Sequence, residues 1–342
     1  MKILQVIDQL GLGGAERVCV NLTNVLYKNN YNVKIVVFNN KGVLFNLLNK
    51  KVDVVILNKN KNKFKAYKRL IKEIKEADIV HIHMRQNFKY VKKTLLAFGV
   101  KKKLILHDHF GEIAINKRIP TFYKSYYQPD YYIGCSELLT NWATDIVGLK
   151  QEKVTLINNF VLQHKSTNKP IKNKLGGIFV GSMKPVKNHI FAIKLAKKIG
   201  VDLTIYCGET NSRYFKNLCE EIDSLDYSKN VHFVHNCINI QSELYKYDFA
   251  FLTSTSEGDP LVLIEYIAQG LPFLSYNTGE AAKLIKHHFP DFVLDNFNEN
   301  DWIENFQKIK KIKKEDILKV YKKYYDTAIF LQKYISVYKK LM

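Results

Sequence analysis

Residues 249–272 read F-A-F-L-T-S-T-S-E-G-D-P-L-V-L-I-E-Y-I-A-Q-G-L-P, and the architecture of the chain follows from this passage. Phe249 to Leu252 is the short, continuously apolar run of a parallel strand buried on both faces. Gly258, Asp259 and Pro260 suit a turn, an N-cap and a first helical turn, so a helix is expected from about Pro260 with Asp259 as its cap. Glu257 stands on the loop and Glu265 inside the helix, with seven residues between them, so both carboxylates can face one cleft. A carboxylate on so apolar a helix requires hydrogen-bond donors. A bound diol such as a ribose would supply them, as would neighbouring backbone groups.

Outward from this passage the chain alternates. Strands are expected at 3–7, 33–38, 52–57, 78–84, 104–110, 131–136 and 154–161, then at 177–180, 203–208, 231–234 and 273–276, with helices at 15–28, 58–77, 190–198 and 315–342. Such alternation predicts parallel sheets covered by helices. Residues 163–174 are polar, carry Pro170 and lack an apolar period, which makes them a linker. The expected domains are therefore 1–165 and 175–325, followed by a C-terminal helix at 326–342.

A chain of 342 residues with 46% hydrophobic and 25% charged residues can bury two cores and is not a disordered polymer. Its net charge of +21 favours anionic partners such as phosphates or an acidic membrane surface. The lysines are scattered and no reader motif accompanies them, which argues against nucleic acid. Abundant Lys, Asn, Ile and Tyr beside scarce Arg also match a compositional bias. The five cysteines form no C-x-x-C pair, so neither a structural zinc nor a disulfide framework is expected and a reduced, cytoplasmic setting fits. No apolar run approaches the ~20 residues of a membrane span, and the first strand begins at once, so any membrane contact would be peripheral.

Gly11, Gly13 and Gly14 follow the first strand, but Glu16 stands where a dinucleotide fingerprint needs its third glycine, and Asn39 and Asn40 where it needs an acid. NAD is not expected. Gly13 and Gly14 either let the backbone approach a ligand or simply turn the chain. His81 and His83 close one strand, His107 and His109 the next. Each H-x-H supplies only a pair on one face, and no further ligand motif accompanies them, so no metal is expected.

Glu257, Gly258, Leu261, Glu265, Gly270 and Pro272 resemble the E-x7-E signature of retaining glycosyltransferase family 4, which has the GT-B fold. The resemblance implies an α/β chain of two doubly wound, Rossmann-like domains facing a central cleft, with the last helix crossing back to the N-terminal domain. It implies that Glu265 holds a ribose, that Glu257 lies beside the transferred sugar, and that amides near Gly258, Leu261 and Val262 face the diphosphate. The last point agrees with the affinity of helix N-termini for phosphate. The G-G-A-E-R run resembles the family's N-terminal loop, which adds Gly13 and Gly14 to the donor or acceptor site. His109 resembles a strand-end histidine that approaches the donor sugar and phosphate; His107 is the alternative. The run G-S-M-K-P-V-K-N at 181–188 resembles a loop that neutralises the leaving diphosphate. Lys187 and Asn188 match it, and Ser182 occupies the place of an arginine. The implied reaction is retaining transfer from a nucleotide-diphosphate sugar to a glycan or lipid-linked acceptor in cell-surface polysaccharide biosynthesis. No cofactor is expected beyond the donor, and the chain has no D-x-D to require a divalent ion. Ser182 motivates an alternative, a catalytically weak nucleotide-sugar-binding subunit.

Overall fold

A computed structural model describes residues 1–120, 128–164, 176–208, 210 and 212–342. The chain forms two compact units, Met1–Phe160 with Thr327–Met342, and Val161–Asp326. Most of the expected linker, 165–174, lies outside the described residues.

The first unit holds strands β1 (Lys2–Ile7), β2 (Asn32–Val37), β3 (Asp53–Ile56), β4 (Ile79–His83), β5 (Leu104–Asp108), β6 (Tyr131–Gly134) and β7 (Val154–Leu156), and helices α1 (Gly14–Lys28), α2 (Lys63–Glu76), α3 (Arg85–Ala97) and α4 (Glu137–Asn141). Its sheet is parallel, in the order β3-β2-β1-β4-β5-β6-β7. The order reverses between β1 and β4, the topological switch point of a doubly wound sheet. One face is apolar: Leu4, Val6, Val80, Ile82, Leu104 and Leu106 pack with Leu70, Ile74, Phe88 and Val91 of α2 and α3. The fourth and fifth strands stop short of the expected 84 and 110. Met84 takes φ 73° and opens α3, and beyond Asp108 the ladder is lost.

The second unit holds β8 (Gly176–Val180), β9 (Asp202–Cys207), β10 (Val231–His235), β11 (Phe249–Leu252), β12 (Phe273–Tyr276) and β13 (Val293–Leu294), with α5 (His189–Ile199), α6 (Arg213–Ser224), α7 (Leu261–Gln269), α8 (Gly279–His288), α9 (Glu299–Ile309) and α10 (Lys314–Tyr324). Its parallel sheet runs β10-β9-β8-β11-β12-β13. Here the order reverses between β8 and β11, so the loops leaving those two strands are neighbours at the carboxyl edge.

As the expected C-terminal helix at 326–342 requires, the helical tail over 315–342 is not continuous. It breaks after Tyr324, and α11 (Thr327–Leu341) belongs to the first unit, where Phe330, Tyr334 and Tyr338 are buried. Among the described residues no helix is long and apolar enough to cross a membrane.

Candidate functional site

Gly181 to Asn188 leaves β8 at the switch point of the second unit. Its backbone is tightly turned: Lys184 N–H donates to Ser182 O (2.8 Å) and Asn188 N–H to Pro185 O (2.9 Å). Asn188 adopts the left-handed conformation, φ 51° and ψ 48°, and starts α5 without a side-chain cap. Hydroxyls from the neighbouring loop hold this turn. Thr253 Oγ1 donates to Lys187 O (3.1 Å) and Asn188 O (2.8 Å), and Thr255 N–H donates to Val186 O (2.8 Å). The run T-S-T-S after the strand is thus a lacing element, which sequence reading passed over. The aliphatic stem of Lys187 lies over Gly181, and its ammonium pairs with Glu257. Ser182 and Lys184 are exposed. His189 is buried against Phe179, with Nδ1 3.0 Å from Tyr214 Oη. Burial, then the charge of Lys187, push its pKa down to about 3.

The loop after β11 holds the other carboxylate. Glu257 is half-buried, and its N–H donates to Thr278 Oγ1 (2.9 Å) at the start of α8. Asp259 does not cap its own helix, contrary to expectation. Its Oδ1 accepts from Ala281 N–H at 2.9 Å, in the first turn of α8. The chain favours this because Gly258 O accepts from Glu280 N–H (3.1 Å), bringing the two helix starts together, and Gly279, at φ 78°, leaves no Cβ to collide with Pro260. Two consequences follow. The α8 start is occupied by a carboxylate, whereas α7 begins at Leu261 with Pro260 as N-cap and no side-chain hydrogen bond to its first turn. The α7 start, at Leu261 and Val262, therefore presents N–H groups and the positive end of the helix dipole. Glu265, one turn further along, is buried. Ser182, Lys187, Glu257, Gly258, Leu261, Val262 and Glu265 all sit on these two neighbouring loops and the helix starts they lead into.

Gly13, Gly14 and His109 belong to the first unit. The space over Gly13 is filled by the Glu16 carboxylate, whose pKa is raised chiefly by burial and also by Asp8. The glycine thus makes room for Glu16 at the α1 start. His109 is half-buried, and Asp108 anchors the backbone around it. The Asp108 carboxylate accepts from Arg85 Nε (2.6 Å), Tyr132 Oη (2.7 Å) and Phe110 N–H (3.2 Å), and the Arg85 guanidinium stacks 3.9 Å from the Trp142 ring. Sequence reading missed this buried pair. Its one local signal is a lone acid between two histidines. The histidines gather on one sheet face because β4 and β5 pair with His83 opposite His107.

Comparison with known proteins came to the same two halves. The model "Glycosyltransferase Family 4" matches residues 12–162, and "Glycosyl transferases group 1" matches 162–326. An uncharacterized glycosyltransferase of Haemophilus influenzae is 25% identical over 313 residues, 85% of either chain. Among solved structures, HepE of Anabaena in complex with UDP-glucose superposes with a TM-score of 0.80 at 18% identity over all of both chains. The lipopolysaccharide outer core galactosyltransferase WaaB, in its apo form, gives 0.70 at 18%, again over all of both chains.

Proposed function

A chain whose two halves are matched by two glycosyltransferase models is a glycosyltransferase of the GT-B fold, and on that premise we propose that it moves a sugar from a nucleoside-diphosphate sugar to a glycan or lipid-linked acceptor, with retention at the anomeric carbon. The observation that carries the reading is the α7 start without a side-chain cap, next to the loop that holds Lys187 and one turn before the buried Glu265. An anion at that start is favoured by the free N–H groups and the helix dipole together. Lys187 then adds the point charge that a departing diphosphate needs.

In this reading the anomeric C–O bond to the diphosphate breaks with its electron pair leaving on the phosphate. The acceptor hydroxyl oxygen forms the new bond on the same face, and its proton passes to the leaving phosphate, so no side chain is assigned as a general base. Lys187, Ser182 and the amides at Gly258, Leu261 and Val262 stabilise the charge that grows on the diphosphate. Glu265 accepts from the ribose hydroxyls. Glu257 orients Lys187 and, with the donor bound, faces the sugar hydroxyls. His109 is assigned contact with the donor sugar or phosphate, and no divalent ion is assigned a part in the transfer. The acceptor class, and a place in surface-polysaccharide synthesis, are chosen because WaaB is described as a lipopolysaccharide outer core enzyme and HepE was solved with UDP-glucose.

The test is a thermal-shift panel of UDP-, GDP- and ADP-sugars with chelator present. One nucleotide at a hundredfold excess over its Kd should stabilise the protein by about 2.7 kcal/mol. The shift should disappear in Glu265→Gln. No shift with any donor, or an undiminished shift in Glu265→Gln, would remove the basis for the reading. The exposed Ser182 favours a second reading, a nucleotide-sugar-binding subunit with weak catalysis. It predicts a Glu257→Ala protein that keeps the donor shift and its cellular function, where an enzyme would lose turnover.

A further inference from the structure

The β4 and β5 strands bring His81, His83, His107 and His109 onto the sheet face opposite the apolar α2 and α3 layer, with Tyr334 and Tyr338 of α11 packed against His81. His81 and His83 stack with ring centroids 4.7 Å apart, and His107 lies 5.2 Å from each. One nitrogen from each of these three can be chosen so that all lie within 4.8 Å of one another. The three side chains are buried, and several of their nitrogens have no hydrogen-bond partner: His81 Nε2 and both nitrogens of His107, with His109 Nδ1 beside them. A fully buried imidazole with neither nitrogen satisfied is rare in a folded protein.

From this geometry we infer that the first unit carries a metal site in which His81, His83 and His107 bind a divalent ion of the zinc, cobalt and nickel class. Outer contacts of the kind that orient such ligands are already in place. His83 Nε2–H donates to Gln5 Oε1 at 2.8 Å, so Nδ1 carries the lone pair, which faces His109 Nε2 at 3.1 Å, a contact the ion would replace; His81 Nδ1 lies 2.7 Å from Tyr338 Oη, and its Nε2 has no hydrogen-bond partner. Metal–nitrogen bonds of about 2.0–2.1 Å place tetrahedral ligands ~3.3 Å apart, a contraction that side-chain rotation can make. Three imidazoles without a carboxylate suit zinc, cobalt or nickel and not magnesium or calcium, which take oxygen ligands. Water fills the fourth position. The ion would join β4 to β5 beneath α11 and takes no part in sugar transfer.

The test uses the full chain, stripped with chelator, incubated with one equivalent of Zn2+, Co2+ or Mg2+ and desalted. Expected are about one retained Zn2+ or Co2+ per chain, no retained Mg2+, the visible absorption of four-coordinate cobalt, and a raised melting temperature with Zn2+. His107→Leu and His81→Leu, each checked for native circular dichroism, should both lose the ion. If His107→Leu does not fold, His81→Leu and the wild-type cobalt spectrum decide. The pair His287 and His288 of α8, in the second unit, is the control: His287→Ala with His288→Ala should retain the ion. No retention by wild type, retention by His107→Leu or His81→Leu, loss in the His287/His288 variant, or a six-coordinate cobalt spectrum would each overturn the inference.

Discussion

Gly279→Ala and Gly200→Ala form a matched pair that isolates how tightly the donor loops are packed. Both glycines have φ 78°, so each alanine bears the same left-handed cost of about 1–2 kcal/mol. A Cβ at Gly200 meets nothing within 4 Å. At Gly279 it would lie 2.5 Å from Pro260 Cδ, 3.0 Å from Gly258 O and 3.2 Å from Glu257 Cβ. A proline ring and a backbone carbonyl cannot swing aside as a long side chain can, so overpacking adds about 1–3 kcal/mol. Gly279→Ala should therefore be less stable than Gly200→Ala by about 2 kcal/mol. For a unit of this size that is a gap of about 4–8 °C in melting temperature. Each unit contains one tryptophan, Trp142 and Trp302, so fluorescence in a shared Trp142→Phe background follows the second unit alone. Because the displaced atoms carry Glu257 and the turn before α7, donor affinity should also fall in Gly279→Ala and hold in Gly200→Ala. Equal melting of the two variants, within about 0.5 kcal/mol, would refute the claim that this turn is held by contact and not by conformation alone.

Asp259→Ala should cost about 1 kcal/mol, the usual value of a helix cap, while Asp259→Asn, which keeps an acceptor oxygen for Ala281 N–H, should recover most of it; an unchanged urea midpoint for the alanine variant would contradict the capping role. His189 is held neutral, with its folded pKa near 3 and below its unfolded value. Its contribution is therefore present above about pH 6.5 and lost as pH falls toward the folded value. Between pH 8 and pH 5 wild type should lose about 2 kcal/mol more than His189→Phe, and parallel pH profiles in chemical denaturation would refute this. Lys187→Met should lower kcat with the preferred donor by about 10²–10³-fold with a smaller change in donor binding, and steady-state rates within tenfold of wild type would place the leaving-group charge elsewhere.

Much of this molecule was legible in local sequence, because strand and helix periods and turn chemistry act over a few residues. The alternation of strands and helices and the polar linker were enough to indicate parallel sheets in two domains, and the run from Phe249 to Pro272 placed Glu257 on a loop and Glu265 in the helix after it. Tertiary structure alone decided what depends on distant partners. Asp259 caps the helix that begins 20 residues later and not its own, because Gly279 lets the two helix starts approach. Two H-x-H pairs, unremarkable singly, become one buried cluster once β4 and β5 align with His83 beside His107. Strand order and register are set by the packing of the whole sheet, and no period within a strand encodes them.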